Sequence, residues 1–86
     1  MKFQGAVIKE QGVRFAVLVV KKSVINNTIE ANKAMQSFRP LFPGMPVVLM
    51  GQDQNGRPTY YGRPDLARFL AHVSLNAIPW REYSMD

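Results

Sequence analysis

Asn55-Gly56-Arg57-Pro58-Thr59-Tyr60-Tyr61-Gly62-Arg63-Pro64-Asp65-Leu66-Ala67-Arg68-Phe69-Leu70-Ala71-His72-Val73 is the stretch on which the fold reading turns. Asn55-Gly56 is a strong hairpin-turn dipeptide. Arg57 to Tyr61 then reads as a returning antiparallel strand. Pro58 marks that strand as an edge, because proline has no N–H to give to a ladder. Gly62-Arg63 turns the chain. Pro64 suits the first helical position, and Asp65 suits the positive first turn. Leu66, Phe69, Leu70 and Val73 fall on one helical stripe, and Asn76 stands where it can cap the end.

Upstream of this stretch, Val47 to Met50 is continuously apolar, as a buried strand is. Pro43-Gly44 before it fits the central pair of a type II turn. A helix is expected over Thr28 to Phe38. Asn27 is its cap and Glu30 stands three residues on. Ala31, Ala34, Met35 and Phe38 form its stripe, and Pro40 ends it by driving Arg39 out of the helical region. At the start of the chain, Phe3 to Ile8 and Val13 to Val20 read as a hairpin closed at Gly12. Val13 to Val20 is apolar on both alternating faces, which predicts a central strand.

The order is β-β-α-β-β-α, and the expected fold class is α+β. Residues 1–86 form one two-layer domain, with a four-stranded mixed sheet and two helices. Strands two and three, joined through a helix, are expected to be parallel. If both helices lie on one face, the other face needs a second copy or another partner. Ile78 to Tyr83 is expected to pack on the body.

The chain has 86 residues, 47% of them hydrophobic, and a formal net charge of +5. So short a chain has a thin core and a motive to dimerise. Positive charge favours acidic partners, although only Lys21-Lys22 forms a basic pair. Absence of cysteine excludes disulfides, thiol catalysis and cysteine-based zinc sites. Met1 to Gly5 lacks the apolar core of a signal peptide. The longest apolar run, Phe15 to Val20, falls far short of the ~20 residues of a membrane span. A cytoplasmic location away from membranes is the expectation.

Arg57, Tyr60, Tyr61, Arg63 and Arg68, with Lys21 and Lys22, are the candidate nucleic-acid-binding residues. Arginines grip phosphates through paired hydrogen bonds, and tyrosine rings stack on unpaired bases. Tyr60 and Tyr61 point to opposite faces of a strand, so only one can serve such a surface. Trp80 and Tyr83 are the candidate anchors of a protein interface. Catalytic chemistry has a single histidine to work with. His72 with Asp53 and Asp65 is the one hydrolytic set that folding could assemble. Asp53, Asn55 and Gly56 match part of a calcium loop but lack its closing glutamate. No cofactor or metal site is expected.

Gly44 to Val73, with Pro46 before a buried strand, a hairpin and a helix, locally resembles the last third of thioredoxin-like domains. That resemblance implies a truncated thioredoxin-like α/β fold and a cis proline facing a redox site. The redox cysteine pair and the middle strand–helix unit are absent, and no site residue is carried over. In size and charge the chain is also similar to small basic ribonuclease toxins, which begin with a helix where this chain begins with a strand. The leading expectation is a non-enzymatic module that binds another protein chain or itself. Its alternative is a nucleic-acid-binding module built on the arginine–tyrosine surface.

Overall fold

The computed structural model describes residues 1–10 and 12–85. Its elements are β1 (Lys2–Glu10), β2 (Val13–Val19), α1 (Lys22–Ile25), α2 (Thr28–Phe38), β3 (Val47–Gln52), β4 (Pro58–Tyr61), α3 (Pro64–Ala71) and β5 (Arg81–Ser84). The five strands form one mixed sheet in the order β4-β3-β2-β1-β5. β2 and β3 are parallel, in register Ala16↔Val47 to Val19↔Met50. Every other pairing is antiparallel. No helix in the described residues is long and apolar enough to cross a membrane.

The apolar alternation of β2 divides the core in two. Ala16 and Leu18 join Phe3, Ala31, Phe38, Phe42, Val47 and Leu49 on one side of the sheet. Phe15 and Val17 join Ala6, Val48, Met50, Leu66, Leu70 and Ile78 on the other. Thus α2 covers one face and α3 the opposite face. The domain has three layers where two were expected, and neither face is left bare for a second copy. Both sides of β2 had to be removed from water, and two short helices do this within one chain.

Several local expectations hold. The Asn27 side chain accepts from the Ile29 and Glu30 amides and starts α2. Pro64 opens α3, with Asp65 in its first turn. The β3–β4 hairpin closes through Gly56 N–H to the Asp53 carbonyl at 3.0 Å. Gly56 has φ +80, a conformation that glycine adopts without strain.

Other expectations need correction. A fifth strand, β5, pairs with β1 in register Lys2↔Ser84 to Gly5↔Arg81. Its four residues carry two charges and no apolar run, so its sequence pattern is faint. Between β2 and α2, residues 22–25 add a short helical turn to the expected order. Arg39 stays helical (φ −54, ψ −42), and the chain tightens into a 3-10 turn over Arg39–Leu41. Pro40 ends the regular hydrogen-bond ladder by lacking an N–H, without redirecting the backbone before it. Asn76 caps nothing: α3 stops at Ala71, and Asn76 sits in a separate 3-10 turn, Leu75–Ala77. All peptide bonds, including the one before Pro46, are trans among the described residues, unlike the thioredoxin-like arrangement.

Gly51 lets α1 dock on β3. A Cβ there would lie 2.9 Å from Ile25 Cδ1 and 3.1 Å from the Lys22 Cα. Gly51→Ala should therefore destabilise the domain by about 1–3 kcal/mol through overpacking. Urea unfolding should show a lower midpoint with an unchanged slope.

Candidate functional site

The seven predicted nucleic-acid residues do not assemble on one surface. Lys22 shares a shallow cleft with Gln52, Asp53, Gln54 and Asn55, beyond the C-terminal ends of β2 and β3. Lys21 and Arg57 belong to this same end and are exposed. Arg63 belongs to the other end, because Gly62 packs against the Val47 carbonyl and Val48 at the start of β3. Arg68 lies beyond it on α3. β4, running ~13 Å over four residues, separates the two groups.

The tyrosines are committed to the core. Tyr61 packs on the α2 side, and its hydroxyl donates to Asn32 Oδ1 at 3.1 Å. Tyr60 packs on the α3 side. Its hydroxyl oxygen is buried with no partner among the described residues, and burial raises its pKa. Both residues are half-buried, each packed against the core on its own side of the sheet. Arg63 holds Asp65 by paired 2.8 Å hydrogen bonds, so its charge is neutralised locally. Those bonds hold the Asp65 carboxyl below its usual pKa.

His72 lines an open groove with Glu10, Val13, Asp65, Leu66, Arg68 and Phe69. Its Nδ1 lies 2.9 Å from the Arg68 carbonyl. A carbonyl only accepts, so Nδ1 carries the proton and Nε2 is the free nitrogen. Asp53 does not line this groove. Its Oδ1 accepts from the Asn55 and Arg57 amides, which accounts for the calcium-like pattern as a turn. Among the described residues no three His, Asp or Glu side chains gather as a metal site.

Trp80 immediately precedes β5, and Tyr83 lies within it, opposite Phe3. The Trp80 indole N–H donates to the Leu75 carbonyl at 3.0 Å. The Tyr83 ring stacks on Phe3 at 5.4 Å. Both are half-buried and fasten β5 to the body.

Docking of β5 exposes a feature that the sequence conceals. Met1 N donates to the Met85 carbonyl at 2.8 Å, and Met85 N donates to the Met1 carbonyl at 2.7 Å. In an antiparallel ladder such reciprocal pairs recur at every second residue. Phe3 and Gly5 therefore also turn their backbone groups toward β5, while Ala6, Ile8 and Glu10 turn theirs toward β2. β5 begins only at Arg81, opposite Gly5. Before it, Trp80 N bonds to the Ile78 carbonyl at 2.8 Å and the chain peels away. The N–H and C=O groups of Val7 and Lys9 consequently face outward with no backbone partner among the described residues.

On the α2 face, the side chains around this open edge carry charge of one sign. Lys9 stands opposite Arg14, and Arg81 stands opposite Gly5. By strand alternation these three cations share the α2 face with Val7, and Val7, Lys9 and Arg14 line a shallow hollow. Strand positions on that face of β1, β2 and β5 hold apolar, aromatic, glycine or cationic residues only. Glu10 and Glu82 alternate to the other face.

Comparison with known proteins finds no family model, no curated protein and no solved structure that matches this chain.

Amide hydrogen exchange should reveal the edge directly. Ala6 and Ile8 should be protected, while Val7 and Lys9 between them exchange quickly; uniform protection over 6–9 would contradict the assignment. A carboxyl NMR titration should find Asp65 ionised below the usual carboxylate range, and Arg63→Ala should return it toward that range. Because the folded pKa is lowered, the stabilisation is present above the unfolded value and lost as pH falls through the folded one.

Proposed function

We propose that this domain is a non-enzymatic protein-binding module that takes an extended acidic segment of another chain as an added strand on β1. The observation that carries the reading is the outward-facing backbone of Val7 and Lys9, in line with β5 and beyond its start. An unpaired edge of this kind is a template for strand addition. Main-chain hydrogen bonds supply affinity, and alternate side chains supply selectivity. On one face the incoming strand meets Lys9, Arg14 and Arg81, which favours acidic residues. On the other it meets half-buried Ile8, which favours a β-branched residue. An alternating acidic and β-branched segment satisfies both faces.

A second copy of the chain fits this edge less well. Antiparallel pairing of two β1 edges about Val7 would need the edge of Gly5, which Arg81 of β5 already occupies, and pairing about Lys9 sets the Lys9 side chains of the two copies directly opposite each other. Like charges facing each other across a ladder are destabilising. The nucleic-acid alternative is supported only by the separate Lys21, Lys22 and Arg57 end, which Arg63 and Arg68 do not share.

A short alternating Glu-Val peptide, titrated by amide NMR, should shift Val7, Lys9 and Arg14 and lose affinity as salt rises. Val7→Pro removes an outward N–H that the fold does not use. The domain should stay folded while peptide binding weakens by at least about tenfold. Ile8→Pro removes an inward ladder donor and should destabilise the domain by about 1–3 kcal/mol. A Val7→Pro domain that binds the peptide as well as the parent does would overturn the proposal. Binding of an oligonucleotide pool with shifts at Lys21, Lys22 and Arg57 would favour the alternative.

A further inference from the structure

We infer a second, independent site: a cleft on the α3 face that is built to hold an uncharged planar heterocycle of nucleobase type. It is bounded by Gln4, Val19, Met50, Gln52, Leu75, Asn76 and Trp80, and its volume is about 390 Å³. That volume lies in the range of small-molecule sites, roughly 300–1,000 Å³.

The cleft arises from a mismatch in length. α3 has eight residues and is ~12 Å long, too short to cover its face of the sheet from end to end. Past its end, Val19 and Met50 are direct neighbours on β2 and β3. Gln4 stands one register step beyond Gly5↔Leu18 on β1. These residues make a floor across three strands. The 3-10 turn Leu75–Ala77 and Trp80 form the wall. The site thus lies at the carboxyl ends of the two parallel strands, where open α/β sheets commonly place their ligands.

The lining determines the ligand class. Among the described residues no ionisable side chain lines the cleft, although the chain carries a net charge of +5. A charged ligand would find no counter-ion there. The polar groups are three carboxamides, each with a donor and an acceptor. Gln52 Nε2 is bound to the Gly56 carbonyl at 3.0 Å, which fixes that amide. Gln4 and Asn76 have no side-chain partner among the described residues and are free to read a ligand edge. The Trp80 N–H is held by the Leu75 carbonyl at 3.0 Å, so the indole has no N–H to offer a ligand and presents only its apolar ring surface. An apolar floor and ring with amides around the rim match a flat ring whose donors and acceptors lie in its own plane. A free sugar, hydroxylated all round, would leave hydroxyls unsatisfied against Val19 and Met50.

Adenosine, guanosine, cytidine and uridine are the probes, with ribose as control. Titration should shift the side-chain amide signals of Gln4, Gln52 and Asn76 and change the emission of the single tryptophan with at least one nucleoside. Gln4→Ala and Asn76→Ala should each weaken that binding about fivefold, the worth of one neutral hydrogen bond, with unfolding midpoints unchanged because both side chains are exposed. The inference is overturned if no nucleoside moves the three amides at millimolar concentration. It is equally overturned if ribose binds as tightly as the nucleosides, or if both substitutions leave affinity unchanged.

Discussion

Everything in this domain depends on removing both faces of β2 from water. Phe15, Ala16, Val17 and Leu18 are each 0% exposed, so side chains pointing in opposite directions are sealed equally well. One layer of helix cannot do this. The chain divides its few remaining apolar residues between α2 and α3 on opposite faces, and uses Phe42 on one side and Ile78 on the other to close the gaps. Spread so thinly, the cover is complete over the sheet centre and incomplete at its corners. The open hollow at Val7, Lys9 and Arg14, the groove at His72 and the cleft at Trp80 are such corners.

The second constraint is the closure of the chain on itself. β5 brings residue 85 back to residue 1 and protects the N-terminal half of β1. Aromatic packing holds it there, with Tyr83 between Phe3 and Phe42 at 5.4 Å from each. Since β5 has four residues and β1 has nine, closure is partial by construction. A full-length β5 would have spent the edge on internal pairing. The exposed Lys9 guards what is left against pairing with a like-charged copy, a familiar device at open edges.

The positions that looked chemically richest in the sequence turned out to serve the fold. Tyr60 and Tyr61 straddle β4, so alternation sends one into each core layer. Arg63 and Asp65, two residues apart across a helix start, satisfy one another. Asp53 closes a turn. Trp80 and Tyr83 fasten a strand. The groups now placed at candidate sites, such as the Val7 backbone and the Gln4 and Asn76 amides, carry no motif. Their role comes from what fails to cover them, and a missing neighbour leaves no mark in composition or spacing.

Local physics was legible from residues alone. The Asn27 cap, the Pro64 start, the Gly56 turn, the double-sided β2 and the parallel β2–β3 pair each follow from steric or hydrogen-bonding demands within a few residues. The sequence by itself therefore determined an α+β chain with a mixed sheet, a central buried strand and two main helices. Only the tertiary structure decided that the helices take opposite faces, that residues 81–84 become a strand, and where β1 is left unpaired. Those outcomes depend on which distant segments compete for the same apolar surface. That competition is settled by the total area removed from water, a property of the assembled sheet that no local window contains.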